Sequence, residues 1–249
     1  MTATTVLSQE QIDSFKQDGY LILRNFIDQA SLENWRDQIW SELGSSLETP
    51  ETWPRNRGGL DGFCYDPPES TFGLHPSLTA IIQQFGGGDF KLGDACPIIR
   101  WPEPDQEWCL PQDGHIDAYG GRWLPFMVGA TAYLYDVASR GGCLTVWPGS
   151  HHTAHRYILE HPEHLDGSFA KVKGFNWNVF WKDGVSGPRE FIANAGDVVF
   201  WHSFLTHNGS PNVSSTPRIA LFSRWDHSRK DDPAFRYEVP ENLWKYWAV

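Results

Sequence analysis

At 249 residues, with 40% hydrophobic and 20% charged residues, the chain is globular and long enough to bury a substantial core. Its formal net charge of −11 argues against a nucleic-acid partner, which would need a basic face. Four scattered cysteines without a Cys-x-x-Cys pair indicate neither a zinc site nor a disulfide framework. The first residues lack a basic stretch followed by an apolar core. The longest mostly apolar run, residues 124–135, falls short of a membrane span. A soluble, cytoplasmic protein with no membrane partner is expected.

Ser8-Gln9-Glu10-Gln11 reads as a capping box. It opens a helix that carries Ile12 and Phe15 on one face and stops near Gly19. Residues 20–23 are a short strand. A second helix runs from Asp28 or Ser31 to Gly44, with Leu32, Trp35, Ile39 and Leu43 forming one apolar stripe. Residues 45–75, rich in Gly, Pro and charge, read as irregular. A third helix begins at Pro76, buries Leu78, Ile81, Ile82 and Phe85, and ends in three glycines at 86–88. From Asp89 onward the pattern becomes short β-like runs at 95–101, 128–137, 143–147, 197–201 and 218–225. A helical front followed by such strands predicts an α+β chain with a sandwich or barrel core. No linker interrupts it, so residues 1–249 are read as a single domain. Residues 157–191 lack clean periodicity and form a long connection, either a binding lid or a surface excursion.

The stretch Gly114-His115-Ile116-Asp117 carries the chemistry. As a strand it would project His115 and Asp117 to the same side, two residues apart. An imidazole beside a carboxylate is two-thirds of a facial metal site of the kind that holds non-heme Fe(II) and leaves positions open. The best third ligand is His207, just past the strand at 197–201. Eleven residues later Arg218 begins a strand on which Arg218, Ala220 and Phe222 share a face, placing one guanidinium in an apolar interior. A buried Arg cannot shed its charge and needs a carboxylate, supplied by a protein Asp or Glu or by a bound cosubstrate. His202 is expected to pack or turn outward and not to ligate. His151, His152 and His155 read as a solvated cluster; Arg100 and Arg122 lie near the metal strand, where they could grip one anionic group of a substrate, though solvated surface charges are the expected reading for each. Trp101, Trp108, Trp123, Trp177 and Trp181 flank the expected cleft.

Together, His115-x-Asp117, the segment from Gly142-Cys143-Leu144 to Pro148-Gly149-Ser150-His151, Gly196-Asp197, and His207 followed by Asn212 and Arg218 resemble the phytanoyl-CoA dioxygenase family. The N-terminal run from Ser8 to Phe26 is similar to that family as well, so the resemblance covers residues 8–225. It implies a double-stranded β-helix, a jelly-roll barrel flanked by the N-terminal helices. It further implies an oxygenase using Fe(II), 2-oxoglutarate and O2, which converts 2-oxoglutarate to succinate while oxidising a C–H bond of a small-molecule substrate. By the same resemblance His115, Asp117 and His207 are the iron ligands, and Arg218 pairs with the distal carboxylate of 2-oxoglutarate. Thr131 is a further cosubstrate contact. Family members often carry Ser two residues after the distal His; here that position is Gly209, and Ser210 or a water is the expected substitute. Relatives that halogenate lack the carboxylate kept here as Asp117, so oxygen insertion or desaturation is expected. The rival readings are an inactive metal-binding relative and a cupin-type enzyme that needs no oxoacid.

Overall fold

The computed structural model describes residues 7–54, 58–60, 62–117, 126–182 and 185–249. The capping box forms: Ser8 accepts from the Gln11 backbone N–H while the Gln11 side chain accepts from the Ser8 N–H. It opens α1 (Gln9–Asp18), which ends at Gly19 in the left-handed region. Strand β1 (Tyr20–Leu23) follows, then α2 (Gln29–Leu43), capped by Asp28 and ended by Gly44. The short β2 (Gly58–Gly59) lies in the irregular stretch before α3 (Pro76–Gly86). The remaining strands are β3 (Phe90–Arg100), β4 (Phe126–Tyr133), β5 (Leu144–Val146), β6 (Arg189–Glu190), β7 (Val198–His202), β8 (His207–Gly209) and β9 (Arg218–His227). Between β5 and β6 runs α4 (Ser150–Glu160). No helix of the described residues is long and apolar enough to cross a membrane.

The strands form two antiparallel sheets, a large one in the order β1-β7-β4-β9-β3-β2 and a small one in the order β6-β5-β8. This is the expected double-stranded β-helix. Strand alternation divides the core into two layers. Val128, Ala130, Ala132, Val198, Phe200, Ile219 and Leu221 face outward from the large sheet and pack under α1, α2 and α3, against Phe15, Trp35, Ile39, Ile81 and Phe85. Their neighbours Tyr133, Val199, Trp201, Ala220 and Phe222 face inward, where Val146 of the small sheet and Cys143 just before it meet them. A one-residue slip in β9 would therefore exchange an apolar face for the one carrying Arg218.

Three expectations need correction. Gly114 to Asp117 is not a strand but touches the small sheet at one isolated bridge, His115 to His207. His151 and His155 are not solvated: they sit buried on α4 because that helix packs its histidine face inward. Residues 157–191 are more than a loop. Leu165, Phe169 and Phe180 are buried with Ala154 and Ile158 of α4 and with Ile116, the residue between the two expected metal ligands. Apolar side chains spaced without helical or strand period escape pattern reading, because 3-10 turns present them one at a time.

Candidate active site

His115 and His207 exchange backbone hydrogen bonds, N–H to O, of 3.0 and 2.9 Å. That narrow pair sets their rings 4.5 Å apart. Asp117 completes the cluster, with Oδ1 3.5 Å from His115 Nε2 and Oδ2 3.8 Å from His207 Nε2. One donor atom from each of the three residues lies within 4.8 Å of the others. Two imidazole nitrogens and one carboxylate oxygen are the donor set of a facial Fe(II) site. His207 Nδ1 lies 2.9 Å from the Leu205 carbonyl, to which it donates, leaving Nε2 unprotonated for an ion. Burial holds the His207 pKa down to about 4, so the imidazole is in its ligating form at neutral pH. His115 is the most exposed of the three, which puts the open side of the cluster towards solvent.

Arg224 also belongs to this site, though the sequence reading did not single it out. Its Nε and Nη2 both donate to Asp117 Oδ2, at 3.1 and 2.7 Å, while Nη1 donates to Asp94 Oδ2 at 2.9 Å. Burial alone would raise the Asp117 pKa, but His207, His115 and Arg224 together hold it well below the usual carboxylate range. Against burial, which alone would lower it, Asp117 and Asp94 raise the Arg224 pKa, so the guanidinium keeps its charge at neutral pH. The signal for it was present: Arg224 continues the face of Arg218, Ala220 and Phe222 by one more step of two.

Deeper in the barrel, Arg218 is fully enclosed. Its Nε donates to the Gly142 carbonyl at 3.0 Å and Nη1 reaches the Ile98 carbonyl at 3.4 Å. Among the described residues no carboxylate forms an ion pair with it. Burial lowers its pKa, opposed by Tyr133 and Cys143. Tyr133, also unremarked in the sequence, lies with its ring centroid 5.9 Å from the guanidinium, and its hydroxyl accepts from the Leu144 N–H at 2.7 Å, leaving its own proton to donate. Thr131 faces the same interior, and its hydroxyl accepts from Trp201 Nε1 at 3.3 Å. The Trp201 ring in turn lies 4.6 Å from that of His207.

Ser210, the expected cosubstrate contact, faces the other way. Its hydroxyl turns to the Cys143 carbonyl at 3.3 Å and Glu190 at 3.2 Å, because alternation sends it away from the face shared by His207 and Gly209. Arg100 is no solvated surface charge either: Nη1 donates to the Ser210 carbonyl at 3.0 Å. Arg122 and Trp123 lie outside the described residues. Trp101 packs with Trp40 and Trp53 under the helices, while Trp181 stacks near Trp147 and Trp177 joins the core around Phe169. His202 is packed as expected, its Nδ1 accepting from the Phe204 N–H at 3.0 Å.

Residues 93–220 match the phytanoyl-CoA dioxygenase family. Over 244 residues the chain is 22% identical to methylphosphonate hydroxylase of Gimesia maris, covering 92% of this chain and 84% of that protein. The fold is similar to that of the non-heme alpha-ketoglutarate-dependent carbocyclase SnoK from nogalamycin biosynthesis. That comparison gives a TM-score of 0.62 at 21% identity, over 89% of this chain and 84% of the other. HygX from Streptomyces hygroscopicus, solved with nickel and 2-oxoglutarate bound, gives 0.59 at 18% identity, over 90% and 88%.

Proposed function

Because this chain belongs to the phytanoyl-CoA dioxygenase family, whose members depend on Fe(II) and 2-oxoglutarate, we propose that it hydroxylates or desaturates a C–H bond of a small-molecule metabolite or natural-product intermediate. In hydroxylation, one O2 and one 2-oxoglutarate yield succinate, carbon dioxide and the substrate alcohol. The observation that carries this reading is the placement of the His115, Asp117 and His207 donor atoms within 4.8 Å of one another, with a buried arginine beyond them that no carboxylate of the described residues pairs. The similarity to a methylphosphonate hydroxylase supports a small substrate.

In this reading His115 Nε2, His207 Nε2 and one Asp117 oxygen hold Fe(II), which with 2-oxoglutarate supplies the oxygen activation. The Leu205 carbonyl keeps the His207 proton on Nδ1, away from the metal side. Arg218 grips the distal carboxylate of 2-oxoglutarate through a charge-assisted pair, and Thr131 and Tyr133 line the same pocket. Trp201 and Phe222, both buried with ring centroids 5.4 Å apart, give that interior an apolar wall. Asp117 fills the place that a halide would need, which favours oxygen insertion or desaturation. Helices α1 to α3 buttress the sheet that carries these residues, so the whole chain serves as one oxygenase unit.

The test is succinate production. Protein supplied with Fe(II), 2-oxoglutarate and O2 should form succinate, slowly without substrate and faster when a metabolite mixture contains it, and His207→Ala should abolish both. Absence of succinate together with no anaerobic binding of 2-oxoglutarate would sink the assignment.

A further inference from the structure

Away from the active site, another group of metal-ligating side chains lies where α4 gives way to the segment that follows it. Pro162 keeps the residue before it out of the helical region, so α4 stops at Glu160 and His161 adopts φ −130°, ψ 60°. The chain restarts at once as a 3-10 turn, Pro162–Asp166, in which the His164 N–H donates to the His161 carbonyl at 3.0 Å. Such a turn has roughly three residues per repeat, so it carries residue 164 round to the side of residue 161. The two imidazole rings stack there, with centroids 5.5 Å apart and planes 21° from parallel.

Glu163, between them in sequence, completes the group. Its Oε1 lies 3.3 Å from His161 Nδ1, and one donor atom from each of the three residues lies within 4.8 Å of the others. Two ligands held at about 2.0–2.1 Å around a tetrahedral ion stand about 3.3–3.4 Å apart, so the His161–Glu163 pair already has that spacing. The Glu163 side chain is exposed and can turn to meet an ion. The histidines are held in place from behind. The Tyr157 hydroxyl lies 2.9 Å from His164 Nδ1, and the Tyr157 ring lies against both imidazoles, 4.6 Å from His161 and 5.7 Å from His164. Phe169 and Phe175 pack on the His164 ring at 5.5 and 6.0 Å. Partners of this kind fix the orientation of a ligating imidazole. The end of α4 adds the partial negative charge of a helix C-terminus, which favours a cation.

We propose that His161, Glu163 and His164 form a second divalent-cation site, separate from the Fe(II) cluster and suited to Zn2+. Imidazole and carboxylate are zinc ligands, and the ion would take these three and a water. Its work is structural. Leu165, the residue after His164, is buried beside Ile116, Ala154 and Phe169, so fixing the turn also fixes the packing behind Ile116, between two of the proposed iron ligands.

The test is equilibrium dialysis of the metal-free protein against Zn2+, with bound metal counted per chain, beside melting curves. Wild-type protein should hold two ions, His164→Ala one, His207→Ala one, and the double variant none tightly. Loss of a ligand should weaken the site by more than the roughly 10- to 100-fold that follows loss of an orienting partner. Tyr157→Phe, which keeps the ring and removes the hydroxyl, should fall within that range. His161→Ala and Glu163→Gln alter solvent-facing side chains and serve where His164→Ala fails to fold. Zn2+ should raise the melting temperature of His207→Ala, which retains this site alone, and leave that of His207→Ala/His161→Ala unchanged. Two ions held with unaltered affinity in His161→Ala and Glu163→Gln would overturn the site. So would a single ion in the wild-type protein that persisted in His161→Ala. A single ion that vanished in His161→Ala and stayed in His207→Ala would uphold this site and count against the Fe(II) cluster instead.

Discussion

Replacing Arg218 by alanine separates cosubstrate binding from internal pairing. In the free protein the guanidinium makes one good hydrogen bond, to the Gly142 carbonyl at 3.0 Å, and one long one, to the Ile98 carbonyl at 3.4 Å. A hydrogen bond to a charged group contributes about 1.5–3 kcal/mol, and the long contact less. Against that loss stands the desolvation of a buried cation that no carboxylate of the described residues pairs, several kcal/mol by itself. The two nearly offset, so the fold should change by about 1 kcal/mol or less, a melting shift of about 2–4 °C at most for a chain of this size. Bound 2-oxoglutarate, by contrast, would lose the partner of a desolvated carboxylate, worth about 2–5 kcal/mol or roughly 30- to 5,000-fold in affinity. The assay is a melting curve beside an anaerobic 2-oxoglutarate titration on the Fe(II) form. A stability loss of roughly 3–5 kcal/mol, as follows when a buried ion pair is broken, with unaltered 2-oxoglutarate affinity would refute the reasoning.

His207→Ala should sharply weaken Fe(II) binding by calorimetry, since two protein ligands remain of three. Arg224→Gln should lower metal affinity roughly 10- to 100-fold, as loss of a partner that orients a ligand usually does, while the melting temperature of the metal-free protein moves far less. Ile116→Ala should cost about 2–5 kcal/mol in urea unfolding and also weaken the metal, because the side chain is fully buried between two ligands. By the same packing, deleting part of residues 157–191 should impair Fe(II) binding; a deletion that left it intact would restore the lid reading. Burial holds His151 down to about 3 and His202 well below its ordinary value, both further lowered by neighbouring histidines. The unfolded chain takes up protons near pH 6.5 that the folded one refuses, so stability is full above pH 7. It should fall by roughly 1.4 kcal/mol per such histidine for each unit below 6.5. His202→Leu should flatten that slope in urea midpoints measured between pH 7.5 and 5.5.

The parts of the molecule that could be read from the sequence were those governed by a local period. The stripes of α2 and α3, the Ser8 cap, and the inward face of β9 follow from spacing alone. Spacing also pointed to His115 and Asp117, yet for the wrong reason: the two side chains converge through one bridge to His207 and the anchoring of Ile116, not through strand alternation. What stayed illegible depended on partners far along the chain. Nothing local reveals that His151 and His202 bury against each other, with ring centroids 5.5 Å apart across 51 positions of sequence. Nor does a lone Arg100 announce that two glycines, 42 and 109 positions downstream, vacate the space it occupies.

The interior of β9 shows how one strand can serve both ends of the proposed reaction. Arg218, Ala220, Phe222 and Arg224 occupy successive inward positions, with a cation at each end and apolar residues between. At one end Arg224 spends its donors on Asp117 and Asp94, so its charge is matched by protein carboxylates whatever is bound. At the other, Arg218 donates only to carbonyls among the described residues, which suits the proposed pairing with the distal carboxylate of 2-oxoglutarate. Two arginines six residues apart thus differ in what they can do. The first can fix a ligand of the metal permanently, and the second can report the presence of a cosubstrate. Ala220 is the smallest side chain on this inward face, and a larger residue there would crowd the stretch between the two arginines. Filling it, by Ala220→Leu, should therefore block 2-oxoglutarate while sparing Fe(II). Loss of both in a folded variant would place the cosubstrate elsewhere.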